Sequence, residues 1–183
     1  MSRLIYVMGA SGVGKDSLLR ELRQRRPDLL VAHRYITRAS GSGENCVELS
    51  AAEFAWRRAQ GLFCLAWCAH GLDYGVGIEI ESWLAAGHTV VLNGSRRALA
   101  SARARFGESL VPLLVVADAE VLRQRLLARG RETPAEIEAR LARGGDEETL
   151  GDIPRLDNGG ELAQSIKALE AFVDASPATA SPP

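Results

Sequence analysis

Lysine is almost missing from this 183-residue chain: of its 22 basic residues only Lys15 and Lys167 are lysine, leaving 20 arginines. That bias makes each lysine more informative than usual. Net charge is also scarce, at −1, so the chain as a whole does not attract nucleic acid or an anionic membrane surface, and any anion site must be local. Long apolar runs are absent; the run Leu4 to Met8 is too short for a signal-peptide core or a membrane span. Cysteine is sparse and odd in number, with Cys46, Cys64 and Cys68, which suits reduced thiols in a cytoplasm rather than a disulfide framework. Cys64, Cys68 and His70 lie close together, but in an apolar run and without a fourth ligand, so they read as buried thiols rather than a tetrahedral metal site. No internal repeat is evident.

What is present is an ordinary globular balance, 46% hydrophobic and 25% charged, in a length that suits one domain. We expect that domain over residues 1–174 and a disordered tail over 175–183, rich in Ala, Ser and Pro. Apolar strand patterns alternate with amphipathic helical ones, the signature of parallel α/β architecture. A strand at about Leu4 to Met8 leads into a helix at about Lys15 to Arg26, stopped by Pro27. Short extended pieces follow, around one helix from the capping box Ser50 to Glu53 up to Gly61.

Beyond them the pattern predicts helix (about Val76 to Ala86), strand (Thr89 to Asn93), helix (about Arg96 to Phe106) and strand (Val111 to Ala117). Asp118 is expected to cap a helix ending near Arg129-Gly130. Thr133-Pro-Ala-Glu136 is a second capping box, opening a short helix that carries Arg140 and Arg143. A strand near Ile153 to Leu156 and a helix from about Glu161 to Val173 close the domain.

Gly9-Ala10-Ser11-Gly12-Val13-Gly14-Lys15 joins the first strand to the first helix. In that setting a glycine-rich loop turns successive backbone N–H groups toward phosphate oxygens, and the lysine reaches the outer phosphates. The motif points to a nucleoside triphosphate; ATP is the expected phosphoryl donor, though the loop itself does not distinguish one purine from another. Its next residue is Asp16 rather than the usual Ser or Thr, and Ser17 follows. A carboxylate beside phosphates needs a cation between them, so Asp16 and Ser17 read as magnesium ligands, or Asp16 simply favours the helix N-terminus.

Arg34 and Arg38, four apart in the extended region, suit a second phosphate-bearing ligand. Asn93, Ser95 and Arg96 stand at the carboxyl end of a strand, the edge where α/β proteins bind ligands. Arg123, Arg125, Arg129, Arg131, Arg140 and Arg143 crowd one stretch and read as a phosphate clamp.

These segments together resemble the guanylate kinase family of P-loop kinases from Leu4 to about Val173: Thr37-Arg38, Gly43-Glu44, Ser50 to Phe54, His70-Gly71, Tyr74-Gly75, Arg125, Arg129-Gly130, Ile137 to Leu141 and Asn158 fall in order. The resemblance implies a three-layer fold with a parallel core sheet, an acceptor-binding insertion near residues 33–75 and a mobile lid near 129–143. It also implies catalytic roles for Lys15, Arg129 and Arg140 and a substrate-binding role for Tyr74.

The guanine-reading acid of that family is absent, because Leu65 stands in its place, and an apolar side chain cannot accept hydrogen bonds from a base. The chain is more similar to the ribose 1,5-bisphosphate phosphokinases, in Gly14 to Leu18, Val31 to Arg38, Tyr74 to Gly77, Asn93 to Arg96 and Arg129 to Glu132. That resemblance implies phosphorylation of ribose 1,5-bisphosphate to 5-phosphoribosyl 1-diphosphate, in phosphonate breakdown. A guanylate or other nucleoside monophosphate kinase is the alternative in the same class, and a non-catalytic interaction module the alternative in another. A homodimer is compatible with either reading and is fixed by neither.

Overall fold

The computed structural model describes residues 2–39, 44–130, 133–142 and 150–175, with the side chain of Arg140 left aside. Strand β1 (Arg3–Gly9) runs through the middle of a five-stranded parallel sheet, ordered β2 (Leu30–Ala32), β7 (Thr89–Asn93), β1, β8 (Leu110–Val116), β9 (Arg155–Asp157). A parallel strand is covered on both faces, and β1 divides accordingly. Leu4, Tyr6 and Met8 point into one apolar cluster, Ile5 and Val7 into the other.

The helices supply the outer layers. α1 (Lys15–Arg25) and α7 (Leu162–Ala175) cover the Ile5 face with Leu18, Leu22, Ile166 and Leu169. α3 (Glu79–Ala85) and α4 (Leu99–Phe106) cover the Tyr6 face with Ile80, Leu84, Leu99 and Ala102. α5 (Ala119–Arg129) and α6 (Pro134–Ala142) follow β8 as a helical pair. Among the described residues no helix is long and apolar enough to cross a membrane.

A second sheet, ordered β4 (Cys46–Glu48), β3 (Arg34–Ile36), β6 (Leu72–Gly77), β5 (Phe63–Ala69), lies between β2 and β7 in the chain together with α2 (Ala51–Ala59). Its hairpin turns at His70-Gly71, both with positive φ, 54° and 73°. One boundary differs from expectation. Val76 and Gly77 are strand rather than helix, because Val76 pairs with Leu65 and Gly77 with Phe63 across the hairpin; pairing with β5 overrides the helical spacing of the apolar residues beyond.

Both capping boxes form, to different degrees. Thr133 and Glu136 exchange bonds, Thr133 N–H donating to Glu136 Oε2 at 2.7 Å and Glu136 N–H to Thr133 Oγ1 at 3.4 Å. Ser50 Oγ accepts from Glu53 N–H at 3.1 Å. Asp118 occupies the N-cap position of α5, but its side chain makes no capping bond. Cys64 is buried as expected, donating toward the carbonyls of Val76 and Gly77, and burial pushes its thiol up to about 12. Cys68 is exposed instead: the register shift between Phe63 and Leu65 leaves both Cys64 and Leu65 buried, and alternation onward from Leu65 turns Cys68 to the other face.

Candidate active site

β1 and β7 run in register, Val7 opposite Asn93, and both end at one edge of the core sheet. A cleft of about 530 Å³ opens there, between that edge and the second sheet. Parallel α/β sheets bind ligands at this position.

The loop after β1 forms one end of the cleft. Gly9 has φ 154°, and a Cβ there would stand 2.4 Å from the Val115 carbonyl oxygen, so neither the turn nor the packing accepts a side chain. Val13 is fully buried in the core beneath the loop, which fixes the loop's backbone to the sheet. Gly14 at the N-cap of α1 is left-handed, φ 97°, and the first turn of α1 brings Lys15, Asp16 and Ser17 to the cleft.

Lys15 Nζ donates to the carbonyls of Gly9 at 2.7 Å and Ala10 at 3.0 Å. The protein packed around its ammonium draws its pKa down to about 8; Asp16 opposes this shift, and Arg34, Arg96 and Arg129 add to it.

The loop is buttressed from behind by distant chain. Arg125 donates to the carbonyls of Val13 at 3.2 Å and Asn158 at 2.7 Å, and the Asn158 amide donates to Val13 at 2.7 Å. Arg125→Ala is therefore expected to raise the KM for the nucleotide about tenfold while leaving the acceptor KM unchanged, because truncating one member of a hydrogen-bonded charged set costs about 1.5 to 3 kcal/mol. Steady-state titration of each substrate separates the two constants.

Asp16 Oδ1 accepts from the Asn93 amide at 2.8 Å and faces the Arg34 guanidinium at 3.8 Å. The carboxylate is thus oriented from β7 and β3 before any ligand arrives. Asp16 and Ser17 together present hard oxygen donors beside the phosphate cradle, a set that fits magnesium.

At the same edge the Tyr6 hydroxyl, fully buried, donates to the Ser95 carbonyl at 2.9 Å and accepts the Ser95 N–H at 3.0 Å. Burial raises that phenol to about 12, so it remains a neutral, two-way hydrogen-bonding post. Ser95 Oγ accepts from Arg97 N–H at 3.3 Å, opening the short helix that turns Arg96 and Arg97 into the cleft.

The opposite wall belongs to the second sheet. Arg34 and Arg38 reach it from β3 and the segment after it, Arg38 paired to Glu44 at 2.8 Å. Tyr74 stacks on Trp67 with centroids 5.5 Å apart and planes 3° from parallel, and Arg34 lies 5.6 Å from the Tyr74 centroid.

Most residues expected from the sequence converge here. Gly9, Ser11, Gly12, Gly14, Lys15, Asp16, Ser17, Arg34, Arg38, Tyr74, Asn93, Ser95, Arg96 and Arg129 all line the one cleft. Ala10 and Val13 contribute backbone carbonyls instead of lining it. The arginine clamp divides in three: Arg129 faces the cleft, Arg125 supports the loop, and Arg123 ties α5 to α6 through Glu120 and Glu138. Arg131 and Arg143 lie outside the described residues, as does the side chain of Arg140. Sequence reasoning gave no site role to Trp67, Glu44, Arg97 or His70, which also line the cleft. The tryptophan's place opposite Tyr74 on a short hairpin was the available signal.

Comparison with known proteins follows the same line. The AAA domain family matches residues 5–149. The ribose 1,5-bisphosphate phosphokinase of Dickeya zeae (strain Ech586) is 51% identical over 178 residues, spanning 96% of this chain and 95% of its own. That of Enterobacter lignolyticus (strain SCF1) is 53% identical over 167 residues, 90% of this chain and 88% of its own. The guanylate kinase of Anaplasma phagocytophilum superposes with a TM-score of 0.69 at 16% identity, covering 97% of this chain and 87% of that one, a likeness of fold. A phosphate-cradling loop, a cationic cleft and half-identity along nearly the whole length converge: the chain is a phosphotransferase that belongs to the ribose 1,5-bisphosphate phosphokinase family.

Proposed function

We propose that the protein transfers the terminal phosphoryl group of ATP to the 1-phosphate of ribose 1,5-bisphosphate, giving 5-phosphoribosyl 1-diphosphate and ADP. The observation that supports this reading is a single cleft lined by Lys15, Arg34, Arg38, Arg96, Arg97 and Arg129, with Arg34 and Arg38 supplied by the second sheet and the segment after β3. A sugar carrying two phosphates, set beside a nucleotide carrying three, needs several such cations. We place the reaction in the cytoplasm and in phosphonate breakdown.

In this reading the loop amides and Lys15 hold the β- and γ-phosphates, while Arg34 and Arg38 grip the phosphorylated acceptor. An oxygen of the acceptor's 1-phosphate attacks the γ-phosphorus as the bond to the β-bridging oxygen breaks. A phosphate monoester is largely ionised at neutral pH, its second pKa being about 6, so no strong general base is needed. Arg96 and Arg129 stabilise charge spread over the moving group. Asp16 and Ser17 would hold magnesium, which would supply positive charge against the nucleotide's phosphates, and Asn93 fixes the Asp16 carboxylate from β7.

The test supplies purified protein with ATP and magnesium and, separately, ribose 1,5-bisphosphate, GMP or AMP, following ADP and identifying the product by phosphorus NMR. Turnover confined to GMP would overturn the acceptor. Asp16→Asn should lower kcat about 100-fold and raise the magnesium concentration needed for half-maximal rate, since it removes a charge that acts on the transferring group. An unchanged magnesium titration would remove Asp16 from the metal site.

A further inference from the structure

In the cross-strand row Trp67, Tyr74, Arg34, the indole of Trp67 has no role yet in the reaction. β5 and β6 place Trp67 directly opposite Tyr74, and the two rings stack almost parallel. Tyr74 in turn lies beside the Arg34 guanidinium, so one face of three neighbouring strands presents indole, phenol and cation to the cleft in succession.

We propose that Trp67 is a specificity-determining residue: its indole, held flat by Tyr74, is the wall that sizes the acceptor pocket for a phosphorylated pentose and turns away nucleoside monophosphates. This rests on the acceptor-binding reading given above. Leu65, two residues earlier on the same strand face, is only 4% exposed and belongs to the core, and Trp67 packs against that core. The indole therefore separates core from cleft.

The cleft-lining side chains of β5 are Trp67 and Ala69, neither of which accepts a hydrogen bond from a base edge. Trp67 Nε1–H has no hydrogen-bond partner among the described residues, which leaves a donor in the wall. A furanose ring offers such a wall C–H faces to pack and hydroxyl or phosphate oxygens to accept that donor. A purine offers donors that this wall cannot satisfy, and a site loses affinity steeply for a ligand whose polar edge is left unpaired.

Three measurements decide it. Trp67→Ala should raise the acceptor KM at least about tenfold, leave the ATP KM unchanged, and narrow the preference for ribose 1,5-bisphosphate over AMP and GMP by a similar factor. Trp67→Phe, which keeps a ring against Tyr74, should restore most of the acceptor KM. In the Trp56→Phe, Trp83→Phe background, where Trp67 is the sole indole, its emission should change saturably with ribose 1,5-bisphosphate and not with ATP.

Equal rises in both KM values, an unchanged acceptor preference, or emission blind to the acceptor would each overturn the assignment. If Trp67→Ala fails to fold, Trp67→Phe kinetics and the emission titration still decide. If wild-type protein ignores ribose 1,5-bisphosphate but phosphorylates another acceptor, the proposed reaction fails by itself, and Trp67 is judged on the KM and emission for that acceptor.

Discussion

Replacing Lys15 with methionine is expected to lower kcat/KM about 1000-fold and to remove a pH dependence from the melting temperature of the ligand-free protein. The first effect follows from removing a preorganised cation from the phosphates of a phosphoryl-transfer site. The second follows from what surrounds the ammonium. Protein packed around it brings its folded pKa down to about 8, against about 10.4 for an unfolded lysine.

Between those values the unfolded chain holds more protons than the folded one, so the contribution of Lys15 to stability improves as pH rises from about 8 to about 10 and is least favourable below 8. Lys15→Met, which has no charge to desolvate, lacks that dependence. The melting temperature of Lys15→Met relative to wild type should therefore fall between pH 7 and pH 9.5. The same group predicts that nucleotide affinity weakens as pH rises through about 8, because the free enzyme then presents a neutral amine to the phosphates. Isothermal titration across that range reads the shift, and flat affinity from pH 7 to 9.5 would contradict it.

The second large effect is one of stability. A Cβ on Gly94 would fall 2.2 Å from the ring of Tyr6, a residue with no exposed surface and with its hydroxyl bonded twice to the Ser95 backbone. The ring has nowhere to go without surrendering those bonds and displacing Leu4 and Met8, its neighbours in the core. Gly94→Ala should therefore cost about 3 kcal/mol or more, combining overpacking with loss of a buried hydrogen-bonded pair. What survives should bind the acceptor poorly, since Arg96 and Arg97 follow directly. Urea denaturation gives the first quantity, and acceptor KM the second.

That pair also shows where sequence reading ends. The glycine loop was legible because everything defining it is local: an apolar strand, three glycines, a lysine and a helix in continuous order. The two capping boxes were legible for the same reason. The bond between Tyr6 and Ser95 joins residues 89 apart in sequence, and no local pattern announces it. Tyr6 reads in sequence as one more apolar strand residue.

The arginines were legible as a cluster but not as individuals. Their division among cleft, loop support and helix pairing depends on partners such as Val13, Asn158 and Glu138, which are contributed by other elements. Asp16 was legible as an exception to its motif, while the Asn93 amide that orients it was visible only as a polar strand end. The helix expected from Val76 began later because a long-range ladder claimed Val76 and Gly77 first.

The support that Asn158 and Arg125 give to Val13 has a bearing on biosynthesis. Although residues 9–15 leave the ribosome early, they lack their full backing until residue 158 has also emerged, so a nascent chain halted near residue 150 should hold ATP at least about tenfold more weakly. Tight nucleotide binding thus reports that residue 158 has emerged and docked, and ATP present during translation would favour the molecules in which it has.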